Sequence, residues 1–325
     1  MASKNSTFPL TRVFSNLFLG FPRLLLINLI FAVPFSAFFA IFYAINKLTG
    51  INSNFILILT VIPLFPFYAG VVQVSAHISQ GQTDVNVFKN FFAAVKENFL
   101  RFLVHGIVAY LAIFFSYWSI TLYAGLGAQN WTFYVLMAVS VIIAIFFMFM
   151  FFYIPPMTVT FDISMKNIYK NSFLMTFGEL KHNLLAVFGL LLLVVFCFTI
   201  IAFCTASALA ITIATAALVL LIVPSVSSFI INSAVYHRMY VMIADNSAES
   251  KNVEKKISNK RSELADKKNK NKPVQSELDE LKKLEIDENA DMDEYVYYNG
   301  RMMKRGTLLK LKKEALEEDD KKEKK

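Results

Sequence analysis

The chain has 325 residues, 56% hydrophobic and only 17% charged, with a net charge of +8 and a mean hydropathy of +0.51. Soluble domains carry about 45–50% apolar and about 25% charged residues. This composition excludes an ordinary soluble enzyme, a disordered chain and a fibrous repeat, and it fits a polytopic membrane protein. Residues 1–237 hold 10 of the 32 Lys/Arg and 4 of the 24 Asp/Glu, so an apolar body ends near Arg238 and a charged tail follows. Body charges sit between apolar runs and tail charges nearly balance, a distribution that points to membrane orientation rather than to nucleic acid.

Residues 1–23 lack a short apolar core followed by a small-residue cleavage site, so no cleaved signal peptide is expected. Phe8–Phe21 mixes Phe and Leu with Thr11, Arg12, Ser15 and Asn16, which predicts a cytoplasmic helix lying in the membrane interface. The membrane body is expected over 24–237. It contains four runs free of Asp, Glu, Lys and Arg, at 24–46, 48–83, 102–161 and 183–236. A span needs about 20 residues, so the first two runs hold one span each and the last two hold two each. Gly125–Trp131 divides the third run, and Thr205–Ala208 divides the fourth. The predicted spans are 24–45, 55–76, 102–124, 132–155, 184–204 and 209–232, an all-α bundle of six transmembrane helices.

Lys and Arg alternate between connections. Segments 1–23, 77–101 and 162–182 carry three each (Lys4, Arg12, Arg23; Lys89, Lys96, Arg101; Lys166, Lys170, Lys181), and the intervening loops carry one, none and none. The positive-inside rule then places both termini in the cytoplasm. The basic segments are amphipathic: Val87–Leu100 and Asn167–Leu184 each end in Lys-x-Asn directly before a span, at Asn98 and Asn183, with a looser version at Phe14–Asn28. The body reads as three units, each a cytoplasmic amphipathic elbow followed by a two-helix hairpin.

The order of elbows and spans, Asn28-Leu29 followed by Pro34, the stretch from Phe88 to Asn98-Phe99, and Phe161-Asp162 with Lys166-Asn167 and Lys170-Asn171 together resemble the YesL family, also catalogued as domain of unknown function 624. The resemblance covers about 12–230. It implies a multi-pass protein of the bacterial cell (inner) membrane, encoded near carbohydrate-uptake genes, and it brings no catalytic residues. Members of that family usually end soon after the last span, so the resemblance leaves the tail unexplained.

No Asp or Glu lies inside a predicted span, and no Walker loop, His-Glu-x-x-His or Gly-x-Ser-x-Gly occurs. Neither a catalytic constellation nor a cofactor or metal site is expected. Cys197 and Cys204 are too far apart on one helix for a disulfide, and His77, His105, His182 and His237 read as interfacial histidines. Pro34, Pro63, Pro66, Pro155, Pro156 and Pro224 lie in or at the ends of spans. They are the candidate helix-break positions, whose freed carbonyls can line a substrate site or simply shape the bundle.

The tail, 238–325, is expected to be partly disordered. Val253, Ile257 and Leu264, and then Val274, Leu278 and Leu281, suit short amphipathic helices. Asp287-x-Asn289-x-Asp291 imitates a calcium loop, but Met292 replaces the required glycine. Asn299-Gly300 between Tyr295-Val-Tyr297-Tyr and Arg-Met-Met-Lys304 predicts a hairpin at 295–304. Tyr295, Tyr297, Asn299 and Gly300 are its candidate recognition residues. A lone hairpin is marginal in water, so this one needs a partner surface: the chain's own loops, another copy or another protein. The function expected is a non-enzymatic accessory of a solute (carbohydrate) uptake system, with the bilayer, transporter subunits or its own copies as partners and no nucleic acid. The alternative is a small-solute transporter or channel.

Overall fold

The computed structural model describes residues 10–50, 53–82, 85–204, 207–244, 286, 291–298 and 301–313. The amphipathic stretches expected at 253–264 and 274–281, together with Asn299 and Gly300, lie outside the described residues. Two units are distinguished: Met1–Val159 with Ile163–His237, and Thr160–Asp162 with Arg238–Lys325.

The first unit is helical. Its elements are α1 (Leu10–Leu48), α2 (Asn54–Ile58), α3 (Val61–Ser79), α4 (Val87–Gly127), α5 (Thr132–Thr160), α6 (Met165–Gly178), α7 (Leu180–Phe203), α8 (Ala208–Leu221) and α9 (Val223–Ala244), the last running past Arg238. Three times a long helix is followed by a return helix or pair: α1 by α2–α3, α4 by α5, and α6–α7 by α8–α9. Among the described residues five helices are long and apolar enough to cross a membrane, and α8–α9, bent by 44°, makes a sixth span if taken as one.

Polar residues set the helix limits. Ser53, Asn86, Ser164 and Ser207 accept from the backbone amides of Phe55, Lys89, Asn167 and Ala210, satisfying donors that a helix start leaves open. At the end of α3, Gly81 takes φ +85°, and its N–H and that of Gln82 donate back to the Ile78 and His77 carbonyls. Only glycine reaches this left-handed conformation cheaply.

In two of the three units the amphipathic elbow is continuous with the helix that follows it. α1 and α4 run unbroken for 39 and 41 residues, roughly 60 Å at 1.5 Å per residue, twice the hydrocarbon thickness. The elbows are also held by protein contacts. Asn16 Nδ2 donates to the Ser79 carbonyl at 3.1 Å, and Phe91 and Val95 are buried in the core. Phe14, Phe18, Phe88, Phe92 and Phe99 remain exposed on the other face. In the third unit a break at Glu179 does separate the elbow α6 from α7.

α3 lies at the centre. Val71, Val74 and Ile78 join Leu24, Ile27 and Phe31 of α1, Phe91 and Val95 of α4, and Val226 and Phe229 of α9 in one core cluster. On its other side Ala69 and Val72 meet Phe102 and Val159. α4 comes close at Gly106, where a β-carbon would stand 2.8 Å from Phe65 Cβ and 3.0 Å from the Ile62 carbonyl oxygen. The outer faces of α5, α7 and α8 stay apolar and exposed, as at Ile142, Phe188, Phe198 and Ile213. Lipid tails are as apolar as leucine, so helix association here rests on close packing and interhelical hydrogen bonds.

The second unit contains an antiparallel pair, β1 (Tyr295–Tyr298) and β2 (Arg301–Lys304), in the register Tyr295↔Lys304 to Tyr298↔Arg301. This register leaves residues 299 and 300 between the strands. A helix follows over 305–313. Leu308 packs among Ile286, Val296, Tyr298 and Met303, and Arg305 forms a 3.0 Å ion pair with Glu294 in which both side chains are largely buried.

Candidate functional site

The membrane body has no buried carboxylate among its described residues, so its candidate site is a set of neutral polar side chains. The first is at the α8–α9 break. Pro224, second residue of α9, has no N–H for the Leu220 carbonyl, and the helix parts at Ile222. The next helical bond, from Ser225 N–H to Leu221 C=O, is replaced by one side chain. Asn28 Oδ1 accepts from Ser225 N at 3.0 Å, and Asn28 Nδ2 donates to the Leu221 carbonyl at 2.6 Å and to Ser225 Oγ at 2.8 Å. Asn28 is fully buried, and only this amide orientation satisfies both backbone groups.

The polar face continues along α9 at positions 225, 228 and 232, spaced three and four residues apart on one side of the helix. Ser228 Oγ lies 2.6 Å from Ser75 Oγ of α3, Asn232 Nδ2 donates to the Ser228 carbonyl at 2.8 Å, and the Tyr68 hydroxyl also bonds Ser228. Ser75 in turn donates to the Val71 carbonyl at 2.7 Å. Within α3, Gln73 Nε2 and His77 Nε2 lie 2.6 Å apart, a contact whose donor is set by the imidazole tautomer.

Two further clips tie the other elements. His105 of α4 is fully buried, with Nδ1 2.9 Å from the Tyr169 hydroxyl of α6 and Nε2 2.9 Å from Thr158 Oγ1 of α5. Thr158 spends its own proton on the Ile154 carbonyl at 2.7 Å. The consistent assignment is Tyr169 O–H to Nδ1 and Nε2–H to Thr158, which holds the ring neutral. Tyr169 lies outside the expected spans, and burial pushes its phenol up to about 12, so it remains the donor. Asn183 closes the α6–α7 break: Nδ2 donates to the Thr176 carbonyl at 2.9 Å, and Oδ1 accepts from Tyr153 at 2.6 Å.

The Asn residues singled out before each span, Asn28, Asn98 and Asn183, are all buried. Two of them mend helix breaks, whereas Asn98 Nδ2 donates to the Ala94 carbonyl of its own helix. Of the candidate break positions, Pro63 and Pro224 accompany real interruptions. The α2–α3 gap falls at Leu59–Thr60, and Leu59 is the residue whose carbonyl Pro63 leaves without its helical donor. Pro66 sits inside α3 and deprives the Ile62 carbonyl, the one facing Gly106. Pro34, Pro155 and Pro156 do not break their helices; α1 and α5 run through them. In apolar surroundings, leaving the helix would strand several more backbone groups than the one bond proline removes.

Tyr295 and Tyr297 lie in β1. Tyr295 donates to the Asp162 carbonyl at 3.2 Å, and burial raises its phenol above the ordinary value. The four histidines form no common site: His182 pairs with Glu179 at 3.0 Å, and His77 and His105 have the partners given above. Among the described residues no three of His, Cys, Asp and Glu gather to hold a metal ion. Between α4 and α5 a groove of about 340 Å³ is lined by Leu111, Phe115, Ile143 and Phe147 with Ser116, Ser119 and Ser140. It is half open and mostly apolar.

Residues 13–120 match a family described as a protein of unknown function, DUF624. The match runs from the start of α1 into the second half of α4, about a third of the chain. No curated protein and no solved structure matches the chain. Fold and comparison together define a helical, membrane-like protein with a segment similar to a family of unknown function.

Proposed function

We propose that the chain is a non-enzymatic, partner-binding component of a solute uptake system in the bacterial cell membrane, with six spans and both termini cytoplasmic. One observation carries this reading. Asn28, Ser75, Ser228, His105 and Asn183 bond other buried side chains or broken backbone, around Phe-rich packing that includes Phe31, Phe91, Phe102 and Phe229. A carrier keeps polar groups turned toward a cavity for its cargo. The carbohydrate class of solute and the YesL name come from the sequence resemblance. The alternative, a small-solute transporter or channel, is favoured by the bent last span, since broken helices line substrate sites in many transporters.

Affinity purification of the tagged full chain from native membranes in mild detergent tests the reading. Co-purification of transporter subunits is expected. Recovery of the chain alone, together with solute uptake by proteoliposomes containing only this protein, would establish the alternative.

A further inference from the structure

We propose that the tail hairpin is a strand-addition site, and that its ligand is the chain's own extended segment Thr160–Asp162, between α5 and α6. Phe161 pairs in parallel with Met302 of β2, and the Asp162 amide donates to the Met302 carbonyl at 3.0 Å. Tyr295, across the hairpin, donates its hydroxyl to the Asp162 carbonyl at 3.2 Å. Asp162 is thus held through its N–H by the β2 backbone, as in strand addition, and through its C=O by a β1 side chain. Side chains supply the rest. Phe161 is 2% exposed and Met302 1%, so both partners of the bridge are buried, and the residue after Phe161 is required to have an N–H.

The hairpin is built to present that edge. In the register Tyr298↔Arg301, pairing alternates along the strands, and the backbone groups of Met302 point away from β1. Arg305 N–H to the Glu294 carbonyl, at 2.8 Å, and Gly306 N–H to the Met292 carbonyl, at 3.0 Å, close the open end of the hairpin. The Arg305–Glu294 ion pair fixes the following helix, whose Leu308 covers the Val296 and Met303 side. Two strands alone are marginal in water, and a third makes the sheet independently stable. The segment 160–162 adds to what the following helix already covers, and the hairpin holds it in extended form. An extended segment of another protein, apolar at the position of Phe161, would have to displace this strand to bind.

Cysteine pairs in the full chain, with Cys197 and Cys204 changed to Ala, test this directly. Phe161→Cys with Met302→Cys should oxidise to completion as a single-chain disulfide. Phe161→Cys with Met303→Cys should stay reduced, because neighbouring residues on a strand face opposite ways. In the parent chain the Asp162 amide should be protected from hydrogen exchange, and truncation after Ala248 should abolish that protection. Equal oxidation of the two pairs, a disulfide joining two chains, or a freely exchanging Asp162 amide in the parent would each overturn the proposal. The cysteine pairs are read on the full chain, so they decide the matter even where truncation unfolds the protein.

Discussion

Asn28 and Ser225 are 197 residues apart, yet the side chain of one supplies the hydrogen bond that the backbone of the other loses at the α8–α9 break. The arrangement answers a problem the bilayer poses. A bent span exposes an amide and a carbonyl, and the hydrocarbon offers neither a partner. Asn28 presents an acceptor and a donor on one rigid plane and serves both.

Replacing Asn28 with Ala should leave the Ser225 amide and the Leu221 carbonyl unmade. Each such group costs roughly 1–3 kcal/mol, so thermal unfolding in detergent should move down well beyond the change produced by Ser225→Ala, which removes only the hydroxyl contact. Asn28→Leu should be no better than Ala, since added apolar volume satisfies neither group. Equal melting of parent and Asn28→Ala would remove the splice from the account.

His105 and Tyr169 should be energetically coupled. A double-mutant cycle of His105→Phe and Tyr169→Phe, measured by denaturant unfolding in micelles, should give about 0.5–2 kcal/mol, the range of interhelical hydrogen bonds in membrane proteins. Strict additivity would mean that the 2.9 Å contact contributes nothing to holding α6 against α4.

Gly106→Ala should destabilise by about 1–3 kcal/mol, the usual cost of overfilling a packed site. Its new methyl group would press on the Ile62 backbone, which cannot rotate away as a flexible side-chain end can. Gly125→Ala, with no atom within 4 Å of the added carbon, should melt like the parent.

The tail contact should fail at high pH. Burial raises the Tyr295 phenol, while Lys304 pulls it down to a lesser degree. A raised value in the folded state means that its contribution is complete below the unfolded value near 10 and is lost as pH rises through the folded one. Absorbance titration of tyrosinate in the parent and in Tyr295→Phe should show that the substitution deletes a late-titrating phenol. Deletion of a phenol that titrates with the bulk would contradict the contact with Asp162.

The span positions were legible because a charge-free run of sufficient length has one inexpensive conformation in lipid. The break between α7 and α8 falls at the expected Thr205–Ala208, with Ser207 as the cap. Prolines were legible as places of lost donors but not as breaks. Pro34 and Pro224 remove the same bond, and only at Pro224 does a distant asparagine stand ready to repair the bend. The half-burial of the elbows was hidden for a related reason. Phe91 and Phe92 look alike in a sequence, and only the α3 surface decides that one enters the core and the other stays outside. The pairing of Phe161 with Met302 joins residues from the two ends of the charge pattern, and no local periodicity records it.

Six spans with both termini on one face is the central claim, and cysteine accessibility in intact cells tests it most directly. In a chain with Cys197 and Cys204 replaced by Ala, single cysteines at Ser53, Ala128 and Ser207 should react with a membrane-impermeant maleimide added outside. Cysteines at Gln82, Ser164 and Arg238 should react only after the membrane is opened. Labelling of Arg238→Cys from outside while Gln82→Cys stays protected would contradict the account, because the bent α8–α9 pair would then not complete a sixth crossing.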